Sequence, residues 1–167
     1  MRYRTRHGGD APLVHRFQAN PTQSHEIMHR LADLAVAIEL AAAGGTVGIV
    51  HADCPTKVWP DFIDALESAH DEAFLEGLVE SALWSRERCF GMCEDMVEDV
   101  RAVVVGHTPM TRWMTLGNVI HIDTGAWMDD EARDFCLLDA ATLRPVEDRP
   151  GPRQAPAGPF TMTSRHE

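Results

Sequence analysis

The chain reads as an α/β (α+β) protein, and three features of the sequence lead there. Short apolar runs recur at residues 46–51, 101–106, 118–123 and 134–139, the first three of them rich in Val, Ile or Thr. Helix-period segments lie before and between them. Gly, Pro and Asp cluster where one kind of segment gives way to the other. A length of 167 residues, 44% of them apolar and 25% charged, suits one soluble globular domain.

Residues 1–22 carry His-Gly-Gly and two prolines before position 22 and read as an irregular segment. Ser24 to about Leu40 is Ala/Leu-rich and reads as a helix with Ser24 as its N-cap. Gly44 and Gly45 end it, and Thr46-Val-Gly-Ile-Val-His51 follows as a buried strand. Asp61 to about Leu83 is the strongest helical pattern, with Phe62, Leu66, Ala69 and Ala73 at helical spacing and acids between them. Met92 to Val100 reads as a short helix. Arg101–Gly106, Asn118–Asp123 and Asp134–Asp139 read as three more strands. From Pro145 five prolines fall within fifteen residues, so 145–167 reads as a disordered tail and 23–144 as the folded part.

Fifteen Lys and Arg against 26 Asp and Glu give a formal charge of −11. A field of that sign repels nucleic acid and anionic membrane surfaces, so neither is expected as a partner. No apolar run is long enough to span a bilayer, and the basic Met1–Arg6 start is followed by His-Gly-Gly-Asp, not by a secretory core. The expected location is therefore the cytoplasm. Cys54, Cys89, Cys93 and Cys136 are expected to be free thiols there.

Two histidines stand in matching contexts. His51 follows Gly-Ile-Val and precedes Ala-Asp-Cys-Pro; His107 follows Val-Val-Val-Gly and precedes Thr-Pro. Each sits at the mouth of an apolar strand, where a rigid backbone holds an imidazole in one direction, as a metal ligand requires. A hydrogen-bonded loop histidine is the plainer reading of either one alone. Asp123 and His121 share one face of their strand by period two. They are candidates to orient a metal-bound imidazole, and a structural role in the following turn is the alternative. Asp53 suits an Asx turn before Pro55. The four tryptophans, Trp59, Trp84, Trp113 and Trp127, read as core or rim packing.

The order of His51-Ala-Asp-Cys-Pro55, Leu83-Trp-Ser-Arg-Glu-Arg88, Val105-Gly-His-Thr-Pro109, Asn118 and Ile122-Asp-Thr-Gly-Ala126 resembles the carboxy-terminal half of the calcineurin-like metallophosphatases. It looks most like their bacterial and phage lambda-type serine/threonine protein phosphatase branch. The resemblance runs from about Gly8 to Leu143, the Gly8-Gly9 pair included. It implies half of a β-sandwich flanked by helices. It also implies a phosphoesterase in which two divalent metals (Mn, Fe or Zn) activate a water against phosphorus. His51 and His107 would ligate a metal, and Arg86 would clamp the phosphoryl oxygens through its planar fork. A surface ion pair is the alternative for Arg86, and Arg88 reads as structural. The implied partner is a phosphoprotein or a small phosphoester, with a dinucleoside tetraphosphate as the substrate alternative within the class.

The family's amino-terminal motifs, Asp-x-His, Gly-Asp-x-x-Asp-Arg and Gly-Asn-His-Glu, do not occur in this sequence. Two imidazoles alone make a weak divalent site. The expected function is still that of a metal-dependent phosphoesterase; the alternatives are a non-catalytic truncated remnant and one half of a split phosphatase, with a complementing amino-terminal half or a second copy of the chain as the expected protein partner.

Overall fold

The computed structural model describes residues 20–128 and 133–146. The expected irregular segment up to residue 19, the Gly8-Gly9 pair and the tail from 147 lie outside the described residues. The chain divides into two compact units, Met1–Ala35 and Val36–Glu167.

In the first unit α1 spans Pro21–Ala32. Asn20 is its N-cap, accepting from the Gln23 N–H at 3.2 Å, and Pro21 occupies the first turn, where a missing N–H is harmless. The expected helix was placed too far along the chain. It ends at Ala32, and Ser24 is inside it, bonded back to the Asn20 carbonyl. Ala37–Ala42 is not helix but strand β1. Its Ala/Leu composition favours a helix weakly, and pairing along the whole length of its neighbour overrides that preference.

The second unit is α+β. Strand β2 (Gly45–Val50) runs antiparallel to β1, closed by a two-residue turn at Ala43-Gly44. Gly44 and Gly45 adopt φ of +88° and +126°, which a side-chain-bearing residue strongly disfavours. Strands β3 (Ala102–Val105), β4 (Met114–Leu116) and β5 (Val119–His121) complete a five-stranded sheet in the order β1-β2-β3-β5-β4. Strands β2, β3 and β5 are parallel, whereas β1 and β4 close the two edges antiparallel. The β1 edge leaves Ile38 and Leu40 exposed.

The expected single helix over 61–83 is two helices, α2 (Trp59–Ser68) and α3 (Glu72–Trp84). Ala69 turns extended, and Asp71 then caps α3 by accepting from the Ala73 and Phe74 N–H groups at 3.0 and 3.1 Å. The apolar spacing runs through the break unchanged, which is why periodicity alone fuses the two. Trp59, Phe62, Leu78 and Ala82 from these helices cover Val50, Val103, Val105 and Val119 of the sheet. Trp59 lies directly on Gly48: a Cβ there would come within 2.5 Å of the indole. That close approach explains a glycine in the middle of a buried strand.

Helix α4 (Glu87–Gly91) has five residues and ends at Met92 in the left-handed region. The expected helix over 92–100 is absent. Those residues form an extended loop pinned by Asn118, whose amide oxygen accepts from Val97 N–H (2.8 Å) and whose NH2 donates to the Val97 and Val100 carbonyls. A buried side-chain amide thus replaces helical hydrogen bonding there. The expected strand over 134–139 contracts to β6 (Leu138–Asp139), paired with β7 (Arg144–Pro145). Its apolar Phe135 and Leu137 are exposed, so no burial enforces a longer strand. Pro145, expected to open the tail, belongs to this small sheet. Among the tryptophans Trp59 is core, whereas Trp127 is 73% exposed.

Candidate functional site

The parallel strands β2, β3 and β5 end flush. Val50, Val105 and His121 occupy neighbouring final positions, and the Gly106 N–H bonds the His51 carbonyl at 2.9 Å just beyond them. The carboxyl edge of a parallel sheet is where loops diverge and a crevice opens. His51, His107 and Asp123 all leave the sheet at this edge.

The two histidines meet. His51 Nε2 lies 3.1 Å from His107 Nδ1, with ring centroids 4.9 Å apart. His107 is carried at φ +64°, and the Thr108 N–H closes a three-residue turn on the Gly106 carbonyl at 2.7 Å. A γ-turn of this hand is rare and strained, and backbone strain of this kind clusters at functional side chains. Trp84 presents an edge to the His107 ring at 5.4 Å and 89°.

Burial, then the positive charge of Arg86, then that of His51 lower the His107 pKa from 6.5 to about 4. The Trp84 backbone and Asp123 oppose that shift. His107 is thus a neutral imidazole at pH 7, the form that can ligate a metal. Its Nε2 is buried and makes no hydrogen bond of full geometry among the described residues, although the Trp84 backbone lies close enough to favour the charged form.

Arg86 stands at the N-cap of α4, half-buried, near enough for its charge to act on His107. Asp123 acts on His107 with the opposite sign. Its carboxylate also accepts from the Gly125 N–H at 2.9 Å, and its carbonyl accepts from Met110 N–H. It therefore braces the Asp-Thr-Gly-Ala turn while lying beside the histidine.

His121 does not join this group. It is 2% exposed, its Nδ1 lies 3.2 Å from the Cys89 thiol, and burial lowers its pKa to about 4. Register explains the separation. His121 is the last residue of β5 and shares the helix-covered face with Val119, whereas Asp123 is two residues past the strand and free to turn.

Sequence reasoning missed the role of Asp53. The Asx turn expected there does not form, because its donor would be Pro55, which has no N–H; Oδ1 accepts instead from the adjacent Cys54 N–H at 2.8 Å and from Arg88 Nε at 2.8 Å, with both side chains nearly buried (10% and 12% exposed). Arg88 Nη1 donates further to the Cys93 and Asp95 carbonyls. The only hint in the sequence is an Asp two residues after one site histidine and an Arg two after Arg86. Burial pushes the Cys54 and Cys89 thiols up, and all four cysteines are free.

The donor set fits a divalent cation in part. His51 Nε2 and His107 Nδ1 are two imidazole nitrogens on one spot that would hold such an ion; at 3.1 Å they share a hydrogen bond with each other. Among the described residues, no group of three or more His, Cys, Asp or Glu is placed to hold an ion. None of the helices described is long and apolar enough to cross a membrane. No protein-family model matches the chain, and no curated protein matches it.

Proposed function

We propose that the chain is a metallophosphatase-type phosphoesterase whose His51 and His107 hold a divalent metal (Mn, Fe or Zn) while Arg86 clamps a phosphoryl group beside it. One observation carries the reading: two histidines from the ends of adjacent parallel strands converge to 3.1 Å, with the half-buried Arg86 near enough for its charge to act on one of them. A divalent ion there supplies Lewis-acid polarisation of a phosphoryl oxygen and acidifies water. The protein contributes the rest. The strained turn aims His107, burial keeps its imidazole neutral, and Asp123 braces the turn behind it. The guanidinium plane suits two phosphoryl oxygens at once.

The proposed substrate is a phosphoserine or phosphothreonine protein. A dinucleoside tetraphosphate is the alternative, and turnover of a phosphopeptide against that nucleotide separates the two. The primary test is hydrolysis of p-nitrophenyl phosphate with added Mn. Turnover is expected in the wild type and is lost in His51→Ala and in His107→Ala. Absence of turnover with Mn, Zn, Fe and Mg would sink the proposal for this chain.

A second reading is a non-catalytic module or one half of a split phosphatase. It is favoured by the absence of a third convergent metal ligand among the described residues. Calorimetric titration separates the readings, since tight stoichiometric metal uptake by the isolated chain fits only the first. Activity that arises on mixing with a polypeptide carrying the three amino-terminal motifs fits only the split enzyme.

A further inference from the structure

We infer that the buried Asp53–Arg88 pair is a tether that sets Arg86 opposite the two histidines. This rests on the phosphatase reading for what Arg86 does there, not for where it is held. The starting point is the weakness of α4. A five-residue helix has no stability of its own, and Arg86, at its N-cap, has no side-chain capping bond. Something else must hold it. Ser85 Oγ accepts the Glu87 N–H at 3.3 Å at its start, and two of its own side chains bond to other parts of the fold: Arg88, and Cys89 through His121.

Arg88 is the directional anchor. Its guanidinium engages three acceptors at once: the Asp53 carboxylate at 2.8 Å and the Cys93 and Asp95 carbonyls at 3.3 and 2.8 Å. A planar fork bonded on several sides fixes orientation as well as distance. Its counterpart is itself immobilised. Asp53 Oδ1 takes the Cys54 N–H, and the Ala52 and Asp53 N–H groups both donate to the Ala82 carbonyl at the end of α3. His51 is the residue just before that clamp. The pair therefore joins the loop that carries one histidine to the element that carries Arg86. Stability is a poor explanation for it, because a buried ion pair is commonly no better than apolar groups of the same volume. What such a pair adds here is a fixed geometry. Arg88 touches neither metal nor phosphate; it is a positioning residue that acts through Arg86.

The test uses the full chain as wild type, Arg88→Lys, Arg86→Ala and the Arg86→Ala/Arg88→Lys double variant. Arg88→Lys keeps the charge and loses the fork, so it folds where Asp53→Asn would leave a buried guanidinium without its counter-charge. Amide exchange is read at Phe90 and Cys93, whose N–H groups bond the Arg86 and Arg88 carbonyls, with Val104 as the core control. The expected result for Arg88→Lys is about tenfold faster exchange at Phe90 and Cys93 with Val104 unchanged. Mn-dependent p-nitrophenyl phosphate kinetics form the second readout. Arg88→Lys is expected to lower kcat/KM about tenfold, and the double variant to be no worse than Arg86→Ala.

Wild-type exchange at Phe90 and Cys93 in Arg88→Lys overturns the tether. So does full additivity in the double variant, since Arg88 would then act by a route other than Arg86. If the wild type shows no turnover, the phosphatase reading falls, and the exchange data alone decide whether the pair holds α4.

Discussion

The backbone at His107 offers a test of the site that needs no substrate. At φ +64°, a residue with a Cβ is strained by roughly 1 kcal/mol or more, while glycine is not. Glycine in ordinary backbone is instead the weaker choice by about 0.5–1 kcal/mol, because it gains more freedom on unfolding. The His107→Ala and His107→Gly variants both remove the imidazole and its contact with Trp84, so the difference between them isolates the backbone. His107→Gly is expected to be the more stable of the two by about 1 kcal/mol, which for a domain of this size is roughly 3 °C in Tm. His107→Asn should fall close to His107→Gly, since Asn tolerates the left-handed region. Urea and thermal unfolding of the three variants read this directly. If His107→Ala equals or exceeds His107→Gly in stability, the turn is not held left-handed and the strain argument is wrong. None of the three retains the proposed metal ligand, so stability and metal uptake should separate.

Three other predictions concern the frame around the site. His121 binds its proton at a pKa of about 4 when folded against about 6.5 when unfolded, so the unfolded chain takes up protons first. Stability is then complete above about pH 6.5 and falls as pH drops towards 4, by up to about 3 kcal/mol. His107 adds a loss of the same sign, and urea midpoints between pH 7 and 4.5 should fall less steeply in His121→Phe than in the wild type. Gly48→Ala drives a methyl into the Trp59 ring and should cost about 1–3 kcal/mol, read as a lower urea midpoint; an unchanged midpoint would mean that the indole is free to move. Asp71→Ala removes the α3 cap and should cost about 1 kcal/mol in thermal unfolding, against no change if the break between α2 and α3 has another cause.

Buried elements are the ones whose residues announced them. Strands β2 and β3 are runs of β-branched residues, and any arrangement of this chain has to bury them. Placement of the site residues at strand ends was equally readable, because His51 and His107 each follow such a run directly. Boundaries failed where one local signal outvoted another. Ala37–Ala42 carries a helical composition, but the Ala43-Gly44 turn returns the chain against it as a hairpin. Residues 92–100 have helix-compatible residues, but the Asn118 side chain takes up their backbone groups from across the fold.

The kind of chemistry on offer follows from residue types alone: two imidazoles, an arginine and a carboxylate near rigid strand ends. Which of these groups meet is a matter of register and turn geometry, and neither is local. Asp123 and His121 share a period-two face on paper. Yet β5 stops at His121 and leaves that imidazole against Cys89, while Asp123, two residues past the strand, turns to accept the Gly125 N–H and acts on His107 through its charge. The Asp53–Arg88 pair spans 35 positions and has no sequence signature, because long-range ion pairs depend on where helices pack and not on what stands beside them in the chain. The difference is physical: periodicity and capping act within a few residues, whereas the placement of His51, His107 and Arg86 depends on two strand-to-loop exits and one helix-to-helix junction brought together by tertiary packing.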